Sequence, residues 1–165
     1  MYNHEYAKEL ERANKYDELF QYVIKYEDGQ DPRALNMIAR CFYYGYGTEK
    51  DYSKCFLYDK KAADMNDGDA VATLGWDYEK GVGVEANIEF AIELYQKAVD
   101  KDSNKGYCYL GLCYERGIGV EKNEQKAAKY YSVASERKNA MAQRFLGRCY
   151  EWRYILRKSK ETYAY

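Results

Sequence analysis

The chain has 165 residues, of which 26 are basic and 27 are acidic, so its net charge is −1 at pH 7. Proteins that bind duplex nucleic acid usually carry a clear basic excess, and this balance argues against that class. No window approaches the ~18 consecutive apolar residues of a membrane-spanning helix. Residues 1–5 are polar and contain no apolar signal region. The composition therefore predicts one domain without a membrane span, located in the cytoplasm unless a leader has been removed, in which case it is secreted or periplasmic.

A Gly-x-Gly pair recurs at a fixed interval and divides the chain. The pairs begin at Gly45, Gly81 and Gly117, and the steps 81 − 45 and 117 − 81 are both 36 residues. A period of this length is typical of stacked helical repeats. A helical pattern precedes each pair, and no third glycine follows, so a tight turn with positive φ fits the pairs better than a phosphate-binding loop.

Residues 1–28 are predicted to form a degenerate pair of helices. The first covers roughly Tyr2 to Arg12, and the second runs from about Lys15 to Tyr26. Three positions of the second helix lie 36 residues before matching positions of the first full repeat: Tyr16, Leu19 and Tyr22 precede Tyr52, Cys55 and Tyr58.

Three full repeats are predicted at 31–64, 67–100 and 103–136, each with a helix A, a glycine loop and a helix B. When the repeats are aligned at steps of 36 residues, each aligned position forms a column. The columns that begin at Ala34, Ile38 and Phe42 are mostly apolar and share one face of helix A. Both helices begin at columns of good N-cap residues: Asp31, Asp67, Ser103 and Asn139 for helix A, and Asp51, Asn87 and Asn123 for helix B. These columns predict an all-α solenoid with a period of 36.

The segment 139–165 is predicted to be a half repeat with a C-terminal capping helix. The slots that would hold its glycine pair contain Arg153 and Ile155, so its helix A should continue toward about Lys160. With this helix the chain would contain about nine helices.

The pattern resembles the Sel1-like repeat, a relative of the tetratricopeptide repeat, over about residues 31 to 150. The second and third units carry the resemblance most fully, through Ala70, Leu74, Gly75, Tyr78, Gly81, Gly83, Val84, Asn87, Ala91, Tyr95, Lys97 and Ala98, and through Leu110, Gly111, Tyr114, Gly117, Gly119, Val120, Asn123, Lys126, Ala127, Tyr130, Tyr131 and Ala134. The resemblance implies a right-handed α/α superhelix that acts as a protein-interaction scaffold, with no common set of catalytic residues.

The polar residues offer little support for catalysis or for a cofactor. His4 is the only histidine, and the five cysteines form no Cys-x-x-Cys, so neither a metal site nor a cofactor is expected. Some Sel1-like relatives bridge each repeat with a disulfide, but the corresponding slots here hold Ala63 with Ala70 and Val99 with Gly106. The thiols are expected to be reduced and to serve mainly in packing.

Candidate binding residues are those that vary between repeats on the side of helix A that points away from the core. Because helix A lines the concave surface in Sel1-like superhelices, the resemblance places these slots in a groove. They form a stripe of cations and aromatic residues, which are enriched at binding hot spots: Arg40, Tyr44, Trp76, Lys80, Leu112, Arg116, Arg148 and Trp152. Asp77 breaks a slot that otherwise holds Cys41, Cys113 and Cys149, and it belongs either to the same site or to a half-exposed seam.

The sequence thus predicts a non-catalytic adaptor, acting as a monomer, whose groove binds a protein or peptide. The stripe favours an acidic or carboxylate-ended ligand with an apolar anchor, and replacing Arg40, Trp76 and Arg148 by Ala should abolish binding. Two alternatives remain. Cysteine-rich Sel1-like relatives suggest a β-lactam-binding or hydrolysing enzyme, although their disulfide slots are absent here. The chain could also be a structural module that self-associates.

Overall fold

The computed structural model describes residues 1–136, which form eight α-helices and one short 3-10 segment, with no strand in that range. The helices are α1 (His4–Arg12), α2 (Tyr16–Val23), α3 (Pro32–Tyr44), α4 (Tyr52–Asp64), α5 (Gly68–Lys80), α6 (Ile88–Asp100), α7 (Asn104–Arg116) and α8 (Glu124–Glu136), and the 3-10 segment Ile24–Tyr26 extends α2. The predicted all-α class is confirmed. The predicted half repeat and capping helix at 139–165 lie outside the described residues, as do Arg148, Cys149 and Trp152.

Side-chain caps begin the paired helices, as the cap columns predict. Each cap oxygen accepts a hydrogen bond from a backbone N–H in the first turn, which satisfies a donor that has no partner within the helix. The first helices are capped by Asp31, Asp67 and Ser103. The second helices are capped by Asp51, Asn87 and Asn123.

The glycine pairs turn the chain between the two helices of each repeat. Both glycines of every pair adopt the left-handed backbone conformation, with φ between 64° and 77°, which confirms the predicted positive φ. The second glycine of a pair also meets the preceding repeat. A methyl group on Gly83 would overlap the Tyr52 carbonyl oxygen and would lie 2.9 Å from Phe56 Cβ at the start of α4. The loop therefore fixes the spacing between repeats.

The first helices of the repeats form the inner layer of the stack. Helix α5 packs against both α3 and α7, whereas α4 and α6 pack mainly against the first helices on either side of them. Since elements on the inside of a curved solenoid are closer together, α3, α5 and α7 line the concave side. No helix of the described part is long and apolar enough to cross a bilayer.

Small and apolar side chains fill the space between the two layers. Ala34, Ile38 and Phe42 of α3 are buried, as predicted for the core face of helix A. The four cysteines of the described part, Cys41, Cys55, Cys108 and Cys113, are buried and unpaired, which agrees with the predicted packing thiols. Burial raises the pKa of Cys41 and of Cys113 to about 12, so these thiols stay protonated near neutral pH.

Candidate functional site

A pocket of about 280 Å³ opens on the concave side between α3, α4, α5 and α7. It brings together Arg40, Tyr44 and Trp76, three of the residues that the sequence predicts to bind a partner. Lys80, Leu112 and Arg116 lie on α5 and α7 and do not line this pocket. The remaining two predicted residues, Arg148 and Trp152, lie outside the described residues.

Aromatic rings form the walls of the pocket. The Trp76 ring lies edge-on to Tyr43 with the centroids 5.4 Å apart, and Tyr43 lies edge-on to Tyr44 at 4.7 Å. Tyr109 of α7 lines the pocket as well. Trp76 is half-buried against the core, so it covers a seam between helices and faces the pocket at the same time. Walls of this kind accept an apolar or aromatic group.

The cations around the pocket already have partners within the fold. Arg40 forms an ion pair of 2.5 Å with Glu11 of α1, and its side chain is 48 % exposed. Lys105 donates a hydrogen bond of 3.0 Å to the Thr73 hydroxyl. The Glu11 side chain is only 17 % exposed, so a ligand carboxylate that binds Arg40 has to replace a partly buried ion pair.

The floor of the pocket contains two buried carboxyl groups and a thiol. Asp59 and Cys55 are one turn apart on α4, and Asp77 projects from α5. The Asn36 side-chain amide donates to Asp59 Oδ1 at 2.6 Å, and the Cys55 thiol lies 3.6 Å from Asp59 Oδ2. Asp77 is completely buried, no group among the described residues donates a hydrogen bond to either of its oxygens, and when protonated it can itself donate to Asp59. The suggestion that Asp77 lies at a half-exposed seam is therefore wrong.

Burial and mutual repulsion perturb the titration of this carboxyl pair. Burial, together with the neighbouring Asp59 carboxyl, raises the pKa of Asp77 well above its ordinary value. Burial also raises the pKa of Asp59, against the lowering effect of the Asn36 hydrogen bond and the Lys105 charge. Two carboxylates this close do not both remain ionised without a compensating positive charge.

The pocket exists because repeat 1 departs from the repeat pattern. In repeats 2 and 3 the matching floor position holds a buried tyrosine, Tyr95 or Tyr131, whose hydroxyl donates to Glu79 or Glu115. In repeat 1 the pair is reversed, with Tyr43 on the first helix and Asp59 on the second. Aspartate is much smaller than tyrosine, and both Asp59 and Tyr43 line the pocket.

The position of helix A that packs against the buried tyrosine also differs between repeat 1 and the next two repeats. A methyl group on Gly75 would lie 2.8 Å from the Tyr95 ring, and one on Gly111 would lie 2.6 Å from the Tyr131 ring, so these slots require glycine. The matching residue of repeat 1 is Ala39, which is buried, and Asp59 stands where the other two repeats have the tyrosine. Positions 39, 43 and 59 of repeat 1 therefore all differ from counterparts that meet around the buried tyrosine in repeats 2 and 3.

Sequence reasoning missed the residues that helix α4 and α7 contribute to this pocket. Cys55 shares a column with Ala91 and Ala127, which is typical of packing, and Lys105 and Tyr109 carry no local signal. One sequence signal could have identified Asp59, because a carboxyl group stands in a column otherwise filled by Tyr95 and Tyr131.

The chain is similar in structure to several solved helical-repeat proteins. A Sel1 repeat protein from Oxalobacter formigenes is 31% identical, with a TM-score of 0.71 over 88% of this chain and 59% of that protein. The c5321 protective antigen of uropathogenic Escherichia coli, described as having an SLR fold, is 27% identical, with a TM-score of 0.69 over 82% of this chain and 29% of that protein. The chain thus spans less than two thirds of either protein.

A third solved structure has about the length of this chain. Cysteine rich protein B of Helicobacter pylori is 26% identical, with a TM-score of 0.56 over 82% of this chain and 93% of that protein. No match was found among curated proteins. The model of the Sel1 repeat matches this sequence four times, at residues 32–67, 69–103, 104–139 and 140–161. The chain therefore belongs to the Sel1 repeat family, whose members generally mediate protein interactions.

Proposed function

We propose that the chain is a non-catalytic adaptor that binds a segment of a partner protein in its concave groove, with the pocket above Asp59 as the anchoring point. One observation carries this proposal: Tyr43 and Asp59, two residues by which repeat 1 departs from the repeat pattern, line one pocket together with the predicted binding residues Arg40, Tyr44 and Trp76. Packing alone does not require these departures, because repeats 2 and 3 pack well without them.

The chemistry of the pocket defines the kind of segment that fits. The walls formed by Tyr43, Trp76 and Tyr109 accept an apolar or aromatic side chain. Arg40 and Lys105 lie beside them and provide donors for a carboxylate. We therefore expect an apolar anchor flanked by an acidic residue or a terminal carboxylate. Lys80 on α5 and Arg116 on α7 place further positive charge on the same helices outside the pocket.

The repeats themselves supply a control that closes the pocket. The triple substitution Ala39→Gly, Tyr43→Glu and Asp59→Tyr gives repeat 1 the residues that repeat 2 has at 75, 79 and 95, and we call it the repeat-restored variant. Its new tyrosine should occupy the open space and donate to the new glutamate, as Tyr95 donates to Glu79 at 2.7 Å. The variant removes the pocket and keeps the fold.

A selection from a random-peptide display library on the wild-type chain tests the proposal, with the repeat-restored variant used only in the binding measurements that follow. The recovered peptides should share an apolar anchor next to an acidic group. They should bind Arg40→Ala and Trp76→Leu about tenfold more weakly, as expected for hot-spot residues. Trp76→Leu is a conservative change, because repeat 3 carries Leu112 in that slot.

A matched control lies on the outer helix layer. Leu57 of α4 is 49% exposed, and Leu57→Ala removes apolar surface there without touching the pocket. This variant should bind the selected peptides like the wild type. Peptides that bind the repeat-restored variant as tightly as the wild type would contradict the proposal. A concentration-dependent dimer in sedimentation, lost in the repeat-restored variant, would favour self-association through the same groove.

A further inference from the structure

We propose that Cys55, Asp59 and Asp77 form a binding site for a thiophilic divalent metal ion such as Zn²⁺. One oxygen of each carboxylate and the Cys55 sulfur all lie within 4.8 Å of one another, and all three residues are buried. This inference does not depend on the proposed partner binding.

An unsatisfied carboxyl group is the observation that points to a ligand. Asp77 is fully buried and lines the pocket, and no group among the described residues donates a hydrogen bond to either of its oxygens; it can donate to Asp59 only when it is protonated. A buried carboxylate without a partner is strongly destabilising. The adjacent Asp59 adds a second carboxylate, and Lys105 alone does not balance two carboxylates and a thiolate, so a divalent metal ion would supply the missing positive charge.

The geometry on α4 suits two ligands to one ion. Residues one turn apart on a helix share a face, and Cys55 Sγ lies 3.6 Å from Asp59 Oδ2. A thiolate and a carboxylate oxygen bound tetrahedrally to zinc are about 3.6 Å apart, given the usual Zn–S and Zn–O distances. Asp77 then completes a set of three protein ligands.

The surroundings provide the other features of a metal site. Asn36 holds the second oxygen of Asp59 at 2.6 Å, which turns Oδ2 toward Cys55 as an outer-shell partner should. A thiolate and two carboxylates carry three negative charges, which a divalent ion and the Lys105 ammonium group neutralise. The pocket above the floor leaves a coordination position open for water.

The ligand set favours zinc-like ions over magnesium or calcium. Magnesium and calcium prefer all-oxygen sites, whereas a thiolate selects softer ions. The site is specific to repeat 1, because the next two repeats hold Ala91 and Ala127 at the cysteine slot and Tyr95 and Tyr131 at the aspartate slot.

Titration of the reduced full-length chain with Co²⁺, followed by displacement with Zn²⁺, tests the site. The wild type should bind one equivalent of Co²⁺ at this site and should show thiolate-to-cobalt charge-transfer absorption, which Zn²⁺ then bleaches. Cys55→Ala should abolish the absorption, and it should fold because Ala91 occupies the matching slot. Asp77→Asn should weaken Co²⁺ binding by at least roughly tenfold, since even the loss of an outer-shell partner costs 10–100-fold.

Another buried thiol provides the control for unspecific binding. Cys108→Ala should leave the absorption and the affinity unchanged, and repeat 2 already carries Ala72 in that slot. Circular dichroism checks that each variant is folded. The site would be ruled out if the wild type showed no charge-transfer absorption at stoichiometric Co²⁺. It would also be ruled out if the absorption persisted in Cys55→Ala, or if Asp77→Asn bound Co²⁺ like the wild type.

Discussion

The two glycines of one loop should tolerate alanine to very different degrees. Gly81 and Gly83 have nearly the same left-handed backbone, with φ of 69° and 64°. They differ in their surroundings. A methyl group on Gly81 would meet its nearest neighbours at 3.5 Å, which is ordinary contact, whereas one on Gly83 would overlap the carbonyl of Tyr52. A comparison of the two alanine substitutions therefore separates the cost of left-handed backbone strain from the cost of close packing between repeats.

The expected losses of folding free energy follow from these contacts. Gly81→Ala adds only left-handed strain, which costs about 1 kcal/mol for a residue with a Cβ atom. Gly83→Ala adds the same strain and an overlap with the backbone of α4, and overpacking costs about 1–3 kcal/mol more. We expect a total near 3 kcal/mol for Gly83→Ala. In a chain of this length, 1 kcal/mol lowers the Tm by about 2–4 °C.

Thermal unfolding monitored by circular dichroism measures the difference. Gly81→Ala should lower the Tm by about 2–4 °C, and Gly83→Ala by about 6–12 °C. Urea denaturation should rank the two variants in the same order. Equal Tm values for the two variants would refute the conclusion that the second glycine sets the spacing between repeats.

Three further predictions concern the repeat pattern and a helix cap. The repeat-restored variant should melt at or above the wild-type Tm, because it exchanges the buried Asp59 carboxyl for a buried tyrosine–glutamate hydrogen bond. A Tm several degrees below that of the wild type would contradict the conclusion that the departures of repeat 1 create the pocket. Tyr95→Phe should lower the free energy of unfolding in urea by about 1.5–3 kcal/mol, because the Tyr95 hydroxyl donates to the Glu79 carboxylate at 2.7 Å. A loss below about 0.5 kcal/mol, the size of an ordinary surface change, would contradict this. The side-chain hydrogen bond from Arg33 lowers the pKa of Asp31 below its ordinary value, so this charge stabilises the fold above the ordinary pKa, and the effect is lost as the pH falls through the lowered pKa. Asp31→Asn should thus lower the free energy of unfolding by a few tenths of a kcal/mol at pH 7, since the Asp31–Arg33 pair is exposed, and should not change it in strong acid. An equal loss at both pH values would contradict this prediction.

The sequence was sufficient to predict the repeat architecture because each feature is local and recurs. The caps at Asp67 and Asn87 and the turn at Gly81 depend on residues within a few positions, and they reappear at each step of 36. The bounds of α3 to α8 follow from such signals. The division of the chain into repeats beyond residue 136 stays a prediction.

The pocket could be predicted only in part, because it depends on contacts between helices. Arg40 and Trp76 vary at a slot that points away from the core, and this variation was enough to identify them. Whether Asp77 faces Asp59 depends on how α5 packs on α4, which no local pattern specifies. The sequence alone also could not show that the cation Arg40 is paired with Glu11.

The affinity of one selected peptide for two proteins tests the central claim most directly. The dissociation constant is measured by calorimetry for the wild type and for the repeat-restored variant, with circular dichroism to check that both are folded. If the pocket above Asp59 anchors the partner, the repeat-restored variant should bind at least about tenfold more weakly, a loss of about 1.4 kcal/mol. Equal dissociation constants for the two folded proteins would contradict the assignment of the pocket as the binding site.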